Sequence, residues 1–167
     1  MRDTSTRDAS PRDASPRDAA SLPGDGPTAE PFRVRLTVRS SDLDSNGHVR
    51  GSAYIDYADH ARWEWLRAAG VTLDALRAAG VGPVSLETTI RWLHELRAGD
   101  EIEVTAAFRW GTGKTSTVVQ ELRRADGTLV AEVTGVGGLL DLDRRRLVAD
   151  PRARWRELAP RPDLLGL

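Results

Sequence analysis

A single long amphipathic helix, followed by chain patterned almost entirely as strand, is what most constrains this sequence. Tyr54, Tyr57, Ala58, Ala61, Trp65 and Ala68 recur at three- and four-residue spacing, which gathers apolar side chains on one broad helical stripe. Ser52 is placed to cap the start and Gly70 to supply the left-handed stop, giving about four turns. Ahead of the helix, Phe32, Val34, Leu36 and Val38 alternate with Arg33, Arg35, Thr37 and Arg39, the period of a strand with one face on a core. A short second helix is expected over 72–79. Everything after Gly82 reads as sheet: Val84 to Leu96, Glu101 to Trp110, Thr115 to Arg123 and Thr128 to Leu140, parted by Ala98-Gly99-Asp100, Gly111-Thr112-Gly113 and Asp126-Gly127, which carry turn chemistry. One helix can bury so wide a stripe only against that sheet. The reading is α+β, an antiparallel sheet of about five strands wrapped around one long helix.

Composition narrows the function classes. With 167 residues, 40% hydrophobic and a net charge of −1, the chain supports one core and offers no global field for nucleic acid. No apolar run approaches the roughly 18 residues that cross a bilayer, and no apolar h-region follows the N-terminus. The expectation is a cytoplasmic protein with neither membrane nor nucleic acid as partner. The absence of cysteine removes disulfides, Cys-based zinc sites and a thiol nucleophile together. Residues 1–30 carry an Arg-Asp-Ala-Ser-Pro pentad repeated between Arg2 and Ala20 and almost no apolar side chain, so burial cannot offset chain entropy and a disordered tail is expected. The domain reading is therefore a tail over 1–30, a folded domain over 31–142 and an Arg-rich extension over 143–167.

The chemistry concentrates where the first strand delivers the chain to the helix. Asp42-Leu43-Asp44-Ser45-Asn46-Gly47-His48-Val49 puts a carboxylate, an amide and an imidazole on one short loop. That loop feeds a helix N-terminus, whose unpaired N–H groups hold developing negative charge. Together with Ala53-Tyr54-Ile55-Asp56-Tyr57, and further on Arg91-Trp92-Leu93 and Gly99-Asp100, the segment resembles the hotdog-fold acyl-CoA and acyl-ACP thioesterases of the 4-hydroxybenzoyl-CoA thioesterase-like superfamily, over roughly residues 32 to 142. The resemblance implies a hotdog fold and hydrolysis of an acyl thioester without a cofactor. It implies Asp44 as catalytic aspartate, with Asn46 and His48 as the Asn and His two and four residues later. It further implies Gly51 as the helix-start N–H facing the thioester oxygen, and Tyr54 as the first-turn aromatic. Two departures stand out. Arg50-Gly51 replaces the usual pair of Asn, leaving Arg50 as a substrate-binding candidate, and no Cys exists further on.

Taken alone, a loop Asp and Asn commonly form Asx-turns, and a His before a helix commonly packs or caps. In the thioesterase reading a carboxylate attacks the carbonyl directly or deprotonates water. His48 then bonds the leaving sulfur or the carbonyl, and Asn46 holds a water or fixes Asp44. The alternatives are a hydratase or dehydratase on the same fold, and an acyl-binding or assembly module without activity.

Two further motifs are weighed and set aside. Asp42 to Gly47 matches half of an EF-hand loop, but position twelve is Ala53 instead of the closing Glu. Gly111-Thr112-Gly113-Lys114-Thr115 ends like a P-loop, yet Phe108 stands where the first Gly belongs, so a hairpin turn is expected. No metal-ligand spacing appears. Glu64, Glu87, Glu95, His60 and His94 are minor candidates, and the five Trp read mostly as core and subunit packing, with one of them a candidate to line an acyl tunnel. An isolated domain of this kind leaves a sheet edge and apolar area open, so a homodimer or homotetramer is expected. In the resembling families the active site is shared between subunits. Arg144, Arg145, Arg146, Arg152, Arg154 and Arg156 give the extension a basic character that suits CoA phosphates or an acidic carrier protein, or else a solvated tail.

Overall fold

The structure, a computed structural model, describes residues 30–167. The disordered tail expected over 1–30 lies outside them but for Glu30. The described chain runs β1 (Phe32–Thr37), a 3-10 turn (Ser40–Asp42), α1 (Gly51–Ala68), α2 (Leu73–Ala78), β2 (Val81–Trp92), β3 (Glu101–Trp110), β4 (Thr115–Arg124), β5 (Leu129–Asp141), the two-residue β6 (Arg146–Leu147) and α3 (Pro151–Leu158), closing on a 3-10 turn (Pro162–Leu165). The strands form one antiparallel sheet ordered β1-β3-β4-β5-β2, with β6 paired to β5. This is the α+β architecture expected from the patterning.

The helix stripe explains the curl of the sheet. Ala53, Tyr54, Tyr57, Ala58, Ala61, Trp65 and Leu66 of α1 are all buried, and they meet Ile102, Val104, Leu122, Ala131 and Val133 from the facing sides of β3, β4 and β5. One polar contact fixes the helix on this surface: buried Gln120 donates to the Ala58 carbonyl at 2.9 Å. At its far end α1 closes as the sequence anticipates. Gly70 takes φ +82°, its N–H bonds Arg67 O and Val71 N–H bonds Leu66 O, both at 2.9 Å, a closure that only a residue free of a Cβ enters without strain. A side chain there would also strike Pro160.

Three local expectations need correction. Ser52 does not cap α1. The helix starts at Gly51 with Arg50 at the N-cap and no side-chain cap, and the Ser52 hydroxyl accepts from Arg50 Nε at 3.2 Å instead. The strand expected over 84–96 runs Val81–Trp92. It ends there because Leu93 and His94 both donate to Val130 O, which leaves no ladder to continue. Third, the chain after Gly82 is not all sheet. Asp150 caps α3 by accepting from Ala153 N at 2.9 Å, and Pro151 opens the helix, a start signal of the ordinary kind that two turns of helix make easy to overlook.

That last helix completes a second core. Trp155 is buried beside Trp65, Leu139 and Leu165. The indoles of Trp65 and Trp110 donate to the carbonyls of Leu164 and Leu165 at 2.7 and 2.9 Å, which ties the C-terminal segment to α1 and β3. Of the basic side chains in this segment, Arg144 pairs with Asp141 and Arg154 with Glu157.

Candidate functional site

The loop from Asp42 to Arg50 is a miniature hairpin held at its stem by a buried carboxylate. Asp42 is only 3% exposed. Its carboxylate accepts from the Tyr57 hydroxyl at 2.8 Å and Arg39 Nε at 3.0 Å, with Arg50 Nη1 at 3.5 Å. The hydrogen bond from Tyr57 leads the causes that hold the Asp42 carboxyl below its ordinary range, while burial, helped by the same bond, raises the Tyr57 phenol. Backbone bonds close the hairpin above: Arg50 N to Asp42 O at 2.9 Å, Asp44 N to His48 O at 2.7 Å and Gly47 N to Asp44 O at 3.1 Å, with Leu43 and Val49 bridged across it. Gly47 turns the tip at φ +76°.

Asp44 stands near that tip, exposed in the single chain. Its Oδ1 accepts from the backbone N–H groups of Asn46 at 2.8 Å and His48 at 3.3 Å, an Asx-turn that fixes the carboxylate's direction. Asn46 is joined to Asp44 in this way, through its backbone. The imidazole of His48 reaches out of the loop to the connector between β2 and β3, where its Nε2 lies 3.0 Å from Glu95 Oε2. Glu95 also accepts from Arg97 at 2.7 and 3.1 Å. That bond, ahead of the charge of His48, keeps its carboxyl below the usual range. The connector is stitched to the loop by Val49 N to Leu96 O at 2.9 Å.

Gly51 is the first residue of α1, so its N–H has no partner inside the helix. A Cβ added there would lie 3.4 Å from the Trp92 ring, which places the indole of β2 alongside the helix start. Tyr54 lies under this surface, 3% exposed, with its hydroxyl 3.5 Å from His94 O and its phenol raised by burial. The Arg50 guanidinium turns toward the protein, donating to Ser41 O at 2.9 Å and to Ser52, so the side chain expected to bind substrate tethers the loop to the helix.

Thus Asp44, Asn46, His48 and Gly51 share one corner of the molecule, with Arg50 and Tyr54 as its supports. Sequence reasoning missed Asp42 as the anchor, because nothing in the pattern marks a partner fifteen positions on at Tyr57. It named Glu95 without seeing His48 across 47 positions of chain. Glu64 pairs with Arg67, and Glu87, His60 and His94 are exposed. Lys114 lies in the β3–β4 hairpin turn. Among the described residues no group of three or more His, Cys, Asp or Glu could hold a metal ion, and no helix is long and apolar enough to cross a membrane.

A cavity of about 220 Å³ opens at the other end of α1, between Arg62, Trp63 and Leu66 of the helix, Val84 of β2, Val118 of β4 and Trp155 of α3. It lies some way from the loop, since the eleven residues from Gly51 to Arg62 span about 16 Å of helix.

Comparison with known proteins places this architecture. The sequence model of the thioesterase-like superfamily matches residues 38–163. The acyl-acyl carrier protein thioesterase ATL3, chloroplastic, of Arabidopsis thaliana is 34% identical over 85 residues, 51% of this chain and 45% of that protein. The acyl-CoA thioester hydrolase YbgC of Escherichia coli is 28% identical over 101 residues, 60% of this chain and 75% of that protein. The chain spans less than half the length of the plant protein. Among solved structures, Slr0204, a 1,4-dihydroxy-2-naphthoyl-CoA thioesterase from Synechocystis, superposes with a TM-score of 0.69 at 18% identity, over 77% of this chain and 95% of that one. This is a likeness of fold, the hotdog arrangement of a curled sheet around a helix.

Proposed function

The chain belongs to the thioesterase-like superfamily, and from that premise we propose that it hydrolyses an acyl-CoA or acyl-carrier-protein thioester to free acid and thiol. The observation that carries the reading is the pinned loop: Asp44 is held in one direction by two N–H groups of its own turn, at the amino end of α1. A carboxylate fixed there attacks the thioester carbonyl or takes a proton from the attacking water. The N–H of Gly51, backed by the helix dipole, is the donor for the oxyanion. His48, oriented by Glu95, serves the carbonyl or the departing sulfur, and Asn46 shapes the turn.

The site is completed by a second copy. β2 is an outer strand with Ser85 to Thr89 exposed on both faces and Leu86, 56% exposed, at a bulge, and such an edge invites pairing. Two β2 edges paired antiparallel bring the Trp92 end of one to the Val84 end of the other. The Asp44 loop of one copy then faces the second copy's cavity, and Asp44 is covered. The compartment proposed for this activity is the cytoplasm.

The test is Asp44→Ala assayed by thiol release from acyl-CoA and acyl-carrier substrates. Turnover falls by about two orders of magnitude or more, the size of a lost acid or base, while melting and oligomeric state hold. Hydrolysis at the unaltered rate removes Asp44 from the mechanism.

A further inference from the structure

We propose that the cavity at the far end of α1 is the acyl pocket, and that it takes neutral, largely apolar acyl groups of up to roughly eight carbons. This inference rests on the thioesterase reading above. Size sets the scale. A dry cavity of about 150 Å³ lined by Leu, Ile and Phe holds a benzene ring, and this one measures about 220 Å³. In proportion it admits a medium chain or a single substituted ring, and it is smaller than the ~300 Å³ at which pockets for drug-sized ligands begin.

The walls do not yield to a longer chain. Phe108 and Trp155 are among the walls of the pocket. Phe108 is stacked on Trp110 at 4.3 Å between ring centroids and packs on Trp65 at 4.7 Å, while Trp155 rides on α3, fastened by Arg154 to Ala79 O at 3.2 Å. A close-packed aromatic group of this kind moves only at a cost in packing. The sheet side is kept low by glycine. A Cβ at Gly135 would come within 3.3 Å of Arg62 Nη1, and one at Gly137 within 2.7 Å of Val84 O.

The charges of the lining offset one another. The two ionic side chains that line the cavity, Asp59 and Arg62, are bonded to each other, so the lining carries no net charge to favour an ammonium or a carboxylate. A charged acyl group would be desolvated there without a partner.

The experiment measures kcat/KM by thiol release for butyryl-, octanoyl- and palmitoyl-CoA, with succinyl-CoA and a quaternary-ammonium acyl-CoA as charged counterparts. It uses the full chain and Val118→Phe, which fills the pocket away from the Asp44 loop. Octanoyl-CoA is expected to exceed palmitoyl-CoA and both charged substrates by about tenfold or more, and Val118→Phe to lower the octanoyl-to-butyryl ratio by a similar factor. Ser116→Leu, on the same wall, replaces Val118→Phe should the latter fail to melt like the parent protein. Preference for palmitoyl or a charged acyl group, or an unchanged ratio in the filled variant, overturns the proposal. If no thioester is cleaved, calorimetry with a non-hydrolysable octanoyl thioether of CoA separates the two readings. Binding to the parent but not to Val118→Phe keeps the pocket and discards the hydrolase, and binding to neither discards both.

Discussion

Replacing Tyr57 by Phe deletes one oxygen from the stem of the active loop and leaves the shape of the core unchanged. The lost contact joins two buried side chains, Tyr57 at 4% and Asp42 at 3% exposure, across 2.8 Å. A hydrogen bond to a charged group contributes about 1.5–3 kcal/mol. Arg39 and Arg50 remain beside the carboxylate, so the lower half of that range applies, about 2 kcal/mol. For a domain of this size that is a fall of roughly 4–8 °C in Tm. The sign of its pH dependence follows from Asp42. Its folded pKa lies below the ordinary carboxylate value, so the contribution is complete above the unfolded pKa, near 3.9, and disappears as pH falls through the lower folded value. Urea unfolding of the parent, Tyr57→Phe, Asp42→Asn and the double variant at pH 7, and again near pH 3, reads both the size and the sign. A difference below about 0.5 kcal/mol at pH 7, or one that stays constant down to pH 3, refutes the claim that an ionised Asp42 anchors the loop.

Other outcomes follow from the same geometry. His48→Ala lowers kcat by about a hundredfold, and Glu95→Gln by less with KM nearly unchanged, since Glu95 acts through the imidazole at 3.0 Å; equal rates for Glu95→Gln and the parent separate Glu95 from catalysis. Mixing Asp44→Ala with Val118→Phe subunits restores octanoyl-CoA cleavage in the mixed dimer, because one of its two sites joins an intact loop to an intact pocket; no gain over either parent variant contradicts a site built from two copies. Trp155→Ala costs about 3–5 kcal/mol, the range for a buried aromatic truncated in a core, measured by chemical denaturation; a loss under 1 kcal/mol would show the α3 contact to be incidental.

The parts of the fold that repeat at short range were legible in the chain. Phe32 to Val38 announce β1 by alternation, and the stripe from Tyr54 to Trp65 announces α1. Gly70 marks the helix end because a left-handed residue is demanded there, and glycine turns separate β3, β4 and β5. What escaped was α3, where Asp150 and Pro151 open a helix of eight residues, too short for periodicity to rise above its Arg-rich surroundings. The end of β2 escaped too, since it is set by where β5 stops offering acceptors and not by anything in residues 93–96.

The candidate site divides along the same line. Sequence by itself determined which groups stand on the loop and that a helix N-terminus follows within a few residues, because loop spacing and helix periodicity are local properties. Only the tertiary structure decided that Asp42 and Tyr57 clamp the stem, that Arg50 turns inward, that His48 meets Glu95 and that Trp155 lines a cavity with Phe108. Each of those contacts joins residues 8 to 47 positions apart. They are fixed by the packing of α1 on a curled sheet, and no local pattern in the chain encodes a distance that the sheet must first create.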